Sequence, residues 1–308
     1  MKGVRRHSHQ LLAGIRTLGH SGNMSPKFIC AIGLLLAVST WSGSARAAVA
    51  APVTVVACAP GYPGSTAEAR PAMDAFAAAL AEASGWPRAA ISAVYEETEQ
   101  GGVARLSQVE AAVALVPLPF LAKHGEALKL LPGLQVEQKD RGLTEVWSLV
   151  AKKGRVGSPR ALAGFDIASI AGYAPGFVRA VLSRFGSIPA SAKVIQSSQV
   201  LSALRKAVAG ENEAVLLDGA QTVALSSLPF ANELETVARS DPLPVAFVAR
   251  VGNGLSTARW KALERGFEKL GSSAESASAL EAIRTVRFVP ASPAAVAEVR
   301  RLVSVPVH

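Results

Sequence analysis

The chain has 308 residues, half of them apolar, with two cysteines and a formal charge of +9. Six of its 32 basic residues and none of its 23 acidic ones precede residue 48, which leaves 26 basic and 23 acidic residues in the rest of the chain. So small an excess, with no run of basic residues among aromatic ones, argues against nucleic acid as a partner. The remainder, about 260 residues, suffices for one large core or for two lobes.

The first 47 residues have the pattern of a secretory signal peptide. Basic residues are followed by the apolar run Phe28–Val38, and Ser44–Ala47 ends the segment with small residues at the positions that a signal peptidase needs. This order is typical of a cleaved leader, and the apolar part is too short to span a membrane comfortably. We therefore expect cleavage near Ala47 and export to the periplasm, with translation starting at either Met1 or Met24.

Few residues of the exported part favour metal or nucleophile chemistry. Cys58 is its only cysteine, so an internal disulfide is excluded, and its Val/Ala surroundings indicate a buried apolar role. His124 and His308 are its only histidines, which argues against a histidine metal site or a Ser/His/Asp triad. We expect no cofactor and no metal.

Strands and helices alternate in the first part of the exported chain. Val53–Ala59 is a continuous apolar run, typical of a strand buried on both faces. Thr66–Ser84 repeats its apolar residues at helical spacing, and Ser65 with Glu68 forms a capping box before it. The pattern then predicts a strand over Ile91–Tyr95, a helix over Gly102–Gln108 and a strand over Ala111–Val116. Such alternation predicts a mostly parallel sheet.

A second α/β series begins after Glu145–Ala151, a predicted strand with no helix leading into it. It comprises a short helix over Ser158–Ala163, strand Asp166–Ile170, helix Pro175–Phe185, strand Lys193–Ile195, helix Gln199–Ala209, strand Ala214–Asp218 and helix Ala220–Leu225. Pro244–Arg250 is predicted as a strand in which the chain turns back. The predicted terminal helices are Thr257–Leu270 and Ser276–Ile283.

Because a second α/β series follows the first, the sequence predicts an α/β protein of two lobes. We place residues 48–144 and 251–308 in the first lobe. Residues 145–250 form the second lobe and include both hinge strands.

Five segments carry a resemblance to a known family: Pro63–Trp86, Ala112–His124, Leu149–Ser169, Ala214–Leu225 and Ile283–Pro290. In their order and spacing, the chain resembles the periplasmic solute-binding proteins of ABC transporters with the type II fold, in particular the phosphate/phosphite/phosphonate-binding group. The resemblance implies two α/β lobes with two hinge crossings that close on a small-molecule solute. It also implies delivery to an ABC permease in the inner membrane, without chemistry on the solute.

Ligands of open α/β sheets lie beyond the carboxyl ends of the strands. In the first lobe this rule selects Tyr62, Gly64, Ser65, Thr66 and Leu118 as ligand-binding candidates. Ser65 has two interpretations. Either it only caps its own helix, or backbone N–H groups and the hydroxyls of Ser65 and Thr66 bind an oxyanion at the helix N-terminus.

In the second lobe the same rule selects Tyr173, Ala174, Gly176, Phe177, Asp218 and Gln221. Phe177 is either a core residue or a ligand contact, and Asp218 either caps the next helix or accepts hydrogen bonds from a ligand amine or hydroxyl. Relatives of the phosphonate type usually have Ser, Thr and Gly in the turn that here reads Gly172–Phe177, and Pro175 removes one N–H donor. This departure favours an organic solute, with an anionic end toward Ser65 and Thr66 and an apolar part toward Tyr173 and Phe177.

The sequence thus predicts a monomeric solute-binding component of an ABC uptake system. Two other functions stay open. A sensory binding protein would present the solute to a membrane receptor or kinase. An enzyme would use a carboxylate such as Glu96 or Asp218 as general base.

Overall fold

The computed structural model of the protein describes residues 52–252 and 254–303. These residues form two sheets, each the centre of one lobe, with a two-stranded ladder between them. The first sheet has the strand order β13-β4-β12-β3-β1-β2, and the second has the order β10-β6-β9-β7-β8. The first lobe opens with β1 (Val53–Cys58), α1 (Thr66–Ser84), β2 (Ile91–Glu96), α2 (Glu99–Leu106), β3 (Ala111–Pro117), α3 (Leu118–His124) and β4 (Leu130–Gln138).

The second lobe follows the short crossing strand β5 (Thr144–Glu145). It contains β6 (Ser148–Lys152), β7 (Asp166–Ser169), α4 (Pro175–Val181), β8 (Lys193–Gln196), α5 (Val200–Ala209), β9 (Glu213–Leu217), α6 (Gly219–Leu225) and β10 (Leu234–Arg239). The chain returns through β11 (Leu243–Pro244) and completes the first lobe with β12 (Ala246–Val251), α7 (Thr257–Lys269), α8 (Ala274–Ala282), β13 (Thr285–Pro290) and α9 (Pro293–Val303). None of the helices in these described ranges is long and apolar enough to cross a membrane.

Parallel pairing is confined to one side of each sheet. Strand β1 is parallel to β2 and β3, and β7 is parallel to β8 and β9. The other ladders are antiparallel, so both sheets are mixed rather than mostly parallel. At the parallel side, the carboxyl ends of the strands and the helix N-termini that follow them face the junction of the lobes, which is where the candidate site lies.

Each predicted hinge strand is divided into two strands in the structure. Predicted strand Glu145–Ala151 is split into β5 and β6, and predicted strand Pro244–Arg250 is split into β11 and β12. The ladder of β5 with β11 joins the lobes, whereas β12 pairs with β3 and β4 inside the first sheet. The predicted boundary at residue 250 therefore assigned β12 to the second lobe, although β12 pairs in the first sheet. The apolar sequence of a strand does not show on which side of a hinge the strand lies.

Local signals account for the best-predicted helix. Ser65 accepts a hydrogen bond from the backbone N–H of Glu68, and the Glu68 side chain accepts one from the backbone N–H of Ser65, so α1 begins with the predicted capping box. Gly85 ends the helix in the left-handed conformation at φ +69°. The buried face of α1 carries Phe76, which packs against Phe267 and Phe288 at centroid distances of 6.1 and 6.2 Å.

The elements that were not predicted include α3, β4, β10 and β13. Pro117 and Pro119 follow the predicted strand Ala111–Val116 and occupy the N-cap and first turn of α3, where a proline removes no helical hydrogen bond. In β4 the pair Pro132-Gly133 interrupts the apolar run, and the strand tolerates it at a register shift against β12. Two predicted helices also moved: α2 begins at Glu99 after its Thr98 cap, and α4 ends at Val181.

The C-terminal helix α9 contacts both lobes. It packs against α3 of the first lobe, α4 of the second and the crossing strand β11. Its buried side chains Ala295, Val299 and Leu302 belong to the same apolar cluster as Phe120 and Phe177. The lobes therefore share a continuous apolar contact in this structure.

Truncation of Leu80 in α1 should destabilise the protein far more than truncation of Leu131 in β4. Leu80 is fully buried and Leu131 is 49% exposed, so Leu80→Ala leaves a cavity and Leu131→Ala does not. We expect losses of about 2–5 kcal/mol for Leu80→Ala and below about 1 kcal/mol for Leu131→Ala in urea unfolding. Equal losses would contradict the described packing of α1.

Candidate ligand-binding site

Side chains from both lobes meet around one arginine. Tyr62, which follows β1, donates its hydroxyl hydrogen to Asp218 Oδ2, which follows β9, at 3.1 Å. Arg141 Nη1 donates to the Tyr62 hydroxyl at 2.6 Å and also reaches Glu145 at 3.4 Å and Asp218 at 3.5 Å. We call Tyr62, Gln138, Arg141, Glu145 and Asp218 the Arg141 cluster. It links the first lobe, the crossing and the second lobe.

The guanidinium of Arg141 is held on several sides. Its second nitrogen donates to the side-chain oxygen of Gln138, and its carbon lies 4.8 Å from the centroid of the Tyr62 ring. A tight turn carries the arginine, since Gln138 and Gly142 pair as an isolated bridge and Gly142 has a φ of +72°. Although burial opposes it, the Tyr62 phenol and the two carboxylates raise the pKa of Arg141, so the guanidinium stays charged.

Glu145 is the buried acid at the crossing. Its side chain is 2% exposed, and its second oxygen accepts a hydrogen bond from the backbone N–H of Gly219 at 3.0 Å. Burial, together with the nearby Asp218 charge, raises the pKa of Glu145 to about 7 even though Arg141 opposes the change. This carboxyl group is therefore protonated in the folded protein well above the pH at which an exposed glutamate ionises.

Asp218 performs the capping role considered for it from the sequence. Its Oδ1 accepts from the backbone N–H of Gln221 at 2.8 Å, and the Gln221 side chain accepts from the N–H of Asp218 at 3.1 Å, which forms a capping box on α6. Its Oδ2 faces Tyr62 and Arg141. Gln221 is thus engaged in the cap, and one oxygen of Asp218 remains directed at the lobe junction.

The N-terminus of α1 already holds carboxylates of the protein itself. The backbone N–H and hydroxyl of Ser65 both donate to Glu68 at 2.9 Å, and the N–H of Thr66 donates to Glu97 at 3.1 Å. These bonds lower the pKa of Glu68. Gly64 next to them has a φ of +112° and open space where a Cβ would be. In this structure the predicted oxyanion position is therefore taken by two glutamates.

A second group of polar residues surrounds Tyr173. Lys123 from α3 donates to the Tyr173 carbonyl at 2.6 Å and forms an ion pair with Glu99. Glu99 also lies 2.6 Å from His124 Nε2. Burial opposes the shift, but the hydrogen bonds from Lys123 and His124 lower the pKa of Glu99. The contact of Lys123 with Tyr173 is a further link between the lobes.

The Tyr173 hydroxyl has no hydrogen-bond partner among the described residues, although Tyr173 is only 6% exposed. Tyr173 belongs to the apolar cluster against which Tyr62 packs. A buried hydroxyl at the lobe junction is a group that a ligand could satisfy.

Several predicted site residues are core residues. Phe177 packs edge-to-face on Trp147 at 5.3 Å, and Ala174 is 1% exposed. Leu118 is fully buried, and its backbone N–H donates to the Val245 carbonyl at 3.1 Å. Gly176 lies in the first turn of α4, partly exposed. Cys58 is fully buried, and burial first, then Glu96 and Glu99, raise its pKa to about 12, which removes thiolate reactivity near neutral pH.

Sequence reasoning missed Arg141, Glu145, Gln138, Lys123 and Glu99. Arg141 lies in the polar turn that follows β4, a strand that was itself not predicted. The one signal for Arg141 in the sequence is that it stands directly before a glycine, as residues of tight turns often do. Glu145 was predicted only as the first residue of a strand. Its burial depends on packing at the crossing, so the sequence alone does not distinguish it from a solvent-exposed acid.

The raised pKa of Glu145 should make stability depend on pH. From about pH 4.5 to 7 the folded protein holds a proton at Glu145 that the unfolded chain has released, so this contribution to stability is lost as pH rises through that range. We expect the wild type to lose up to about 3 kcal/mol between pH 5 and 8 relative to Glu145→Gln, measured by urea unfolding. Exposed Glu110→Gln should keep the wild-type profile. Parallel profiles for Glu145→Gln and wild type would contradict this assignment.

The sequence matches no protein-family model and no curated protein. Its structure is similar to solved solute-binding proteins. XAC2383 from Xanthomonas citri, bound to a chloride ion, has a TM-score of 0.64 and 17% identity over 82% of this chain and 96% of its own. A binding protein component of an ABC phosphonate transporter from Pseudomonas aeruginosa has a TM-score of 0.58 and 15% identity, over 82% of this chain and 85% of its own.

PhnD1 from Prochlorococcus marinus, solved with methylphosphonate, has a TM-score of 0.55 and 12% identity over 81% of this chain and 96% of its own. At such identities the likeness is one of fold. The predicted fold is confirmed: the chain has the two-lobed α/β fold of the periplasmic solute-binding proteins, and its structural neighbours include phosphonate-binding members of that group.

Proposed function

We propose that the protein is the solute-binding component of an ABC uptake system and binds a small solute at the junction of its lobes. The observation that carries the proposal is the Arg141 cluster, in which Tyr62 of the first lobe bonds to Asp218 of the second beside a buried arginine. A solute contacting residues of both lobes is bound fully only when the lobes are together. Its binding energy therefore favours the closed arrangement.

The proposed site comprises Tyr62, Arg141, Glu145, Tyr173 and Asp218. Tyr173 offers its unpartnered hydroxyl, and the others offer groups that now bond to one another. Exchange of these internal hydrogen bonds for bonds to a solute would leave no buried polar group unpaired. The remaining sequence candidates support the site by capping helices or filling the core.

Export and partners complete the proposal. The signal peptide predicted over residues 1–47 lies outside the described residues. Export to the periplasm would bring a monomer to an inner-membrane permease that recognises the closed form. The structural neighbour named as a component of an ABC phosphonate transporter supports this assignment.

An enzymatic role has less support. Glu96 is paired with Arg105 at 3.2 Å, and Asp218 is engaged by α6, Tyr62 and Arg141. Since both carboxylates already bond to cationic groups of the protein, this arrangement favours a structural or binding role for them over that of a general base. The structural neighbour from Pseudomonas aeruginosa is named as a binding protein component of a transporter, which supports a binding role.

A thermal-shift screen of the purified protein tests the proposed function directly. The panel contains phosphate, phosphite, phosphonates, small organic acids and small amines, because a solute that binds the folded state raises the melting temperature by mass action. Each hit is repeated by calorimetry on the wild type and on Tyr62→Phe. A solute whose affinity falls in Tyr62→Phe supports binding at the lobe junction, and hits indifferent to this substitution would contradict it.

Gly61 provides a test of lobe closure. A Cβ at Gly61 would lie 2.9 Å from the carbonyl oxygen of Ile170 in the second lobe, whereas a Cβ at Gly64 would meet nothing within 4 Å. Both glycines have positive φ, at +86° and +112°, so Gly61→Ala and Gly64→Ala share a backbone cost of about 1–2 kcal/mol. We expect only Gly61→Ala to increase the radius of gyration in small-angle X-ray scattering. Equal radii would show that closure does not depend on this contact.

A further inference from the structure

The Arg141 cluster consists of hydrogen-bond acceptors arranged around a cation. The guanidinium meets the Tyr62 hydroxyl and ring face, the carboxylates of Glu145 and Asp218, and the amide oxygen of Gln138. An aromatic face, carboxylates and an amide oxygen are the groups that recognise organic cations in proteins. Arg141 is itself an organic cation, and it reaches this position from a surface turn.

The charge balance of the cluster points the same way. One guanidinium faces two carboxylates, and the side chains of Glu145 and Asp218 are each 2% exposed. Because Glu145 holds a proton up to about pH 7, Arg141 and Asp218 balance each other, and a further oxyanion would add uncompensated negative charge to a buried site. A cation that replaces Arg141, or a strong hydrogen-bond donor, would keep the site balanced.

The position expected for an oxyanion is filled. Glu68 and Glu97 accept the N–H groups of Ser65 and Thr66 at the start of α1. A phosphonate would have to displace these carboxylates and then lie beside them. The Ser65 N–H and hydroxyl and the Thr66 N–H, which the sequence assigned to an anionic end, donate to carboxylates of the protein instead.

An independent feature is an unsatisfied hydroxyl at the lobe junction. The hydroxyl of Tyr173 is buried and lacks a partner within the described part of the chain, and the Tyr173 carbonyl accepts a hydrogen bond from Lys123 of the first lobe. A buried hydroxyl without a partner is rare in folded proteins, and a ligand group that accepts or donates one hydrogen bond would satisfy it.

We propose that the Arg141 cluster is a cation site occupied in cis by Arg141, and that the solute carries an ammonium or guanidinium group which competes with Arg141 for Asp218, Glu145 and Tyr62. This inference rests on the proposed function and names its solute class. Arg141 then acts as an internal substitute for the solute, which keeps the carboxylates paired when no solute is bound. Tyr173 and Asp218 contribute to solute selection.

Chemical rescue of Arg141→Ala tests the cation site. The substitution leaves two buried carboxylates without their partner, so the melting temperature should fall. Millimolar methylguanidine should restore a large part of that loss, while N-methylurea, which has nearly the same shape without the charge, should not. The double variant Arg141→Ala with Asp218→Asn should not be rescued. Equal effects of methylguanidine and N-methylurea would overturn the proposal.

A second experiment covers the case in which Arg141→Ala does not fold. Calorimetry on the wild type compares agmatine and putrescine with methylphosphonate, using Asp218→Asn and the exposed Asp74→Asn as matched variants. We expect an amine to bind and to bind about tenfold or more weakly in Asp218→Asn only, since a charge-assisted hydrogen bond is lost.

The outcomes separate the two proposals. A different result is that methylphosphonate binds the wild type and Asp74→Asn equally well and fails to bind Arg141→Lys, which would make Arg141 a ligand for an anion. That result contradicts the cation proposal and leaves solute binding at the junction supported. If no member of either class binds the wild type, and methylguanidine does not rescue Arg141→Ala, both the cation site and the proposed function are contradicted.

Discussion

A single buried arginine determines how the lobes of this protein meet. Arg141 brings one positive charge to a junction with two carboxylates that water barely reaches, and it bonds to a phenol from one lobe and an acid from the other. Without that charge, Asp218 would lack its cationic partner in a region of low dielectric, and it would repel Glu145 at any pH that ionises Glu145. The position of Tyr62, the cap of α6 and the crossing at β5 are all linked to this one group.

The fold explains why these residues converge. Strands β1 and β9 both end at the lobe junction, so the loops after them approach each other although they are far apart in sequence. The crossing ladder of β5 and β11 then places Glu145 between them. Neither sheet could assemble the cluster alone, because its acceptors come from both lobes and its cation from the turn after β4.

The sequence predicts local structure well where one short segment decides it. Helix α1 begins and ends as predicted, because Ser65, Glu68 and Gly85 are strong signals that act within one turn. Strand β4 was missed because Pro132 is tolerated only through a register shift against a strand over a hundred residues away. Arg141 was missed for a similar reason: its partners are distant in sequence, and a polar turn with a basic residue is normally solvated. Among the predicted site residues, Tyr62 and Asp218 lie in the cluster, and Ser65 and Thr66 bond to acids of the protein.

Helix α9 has a kinetic consequence. Its apolar face packs in one cluster with side chains of α3 and α4, so separating the lobes exposes apolar surface in addition to breaking polar contacts. If a solute binds at the lobe junction as proposed, it would enter or leave only while that surface is exposed. Exchange would then be limited by the opening rate of the protein rather than by diffusion, and the association rate would stay below the value typical of an open pocket. Such a binding protein would retain its solute for longer at a given affinity.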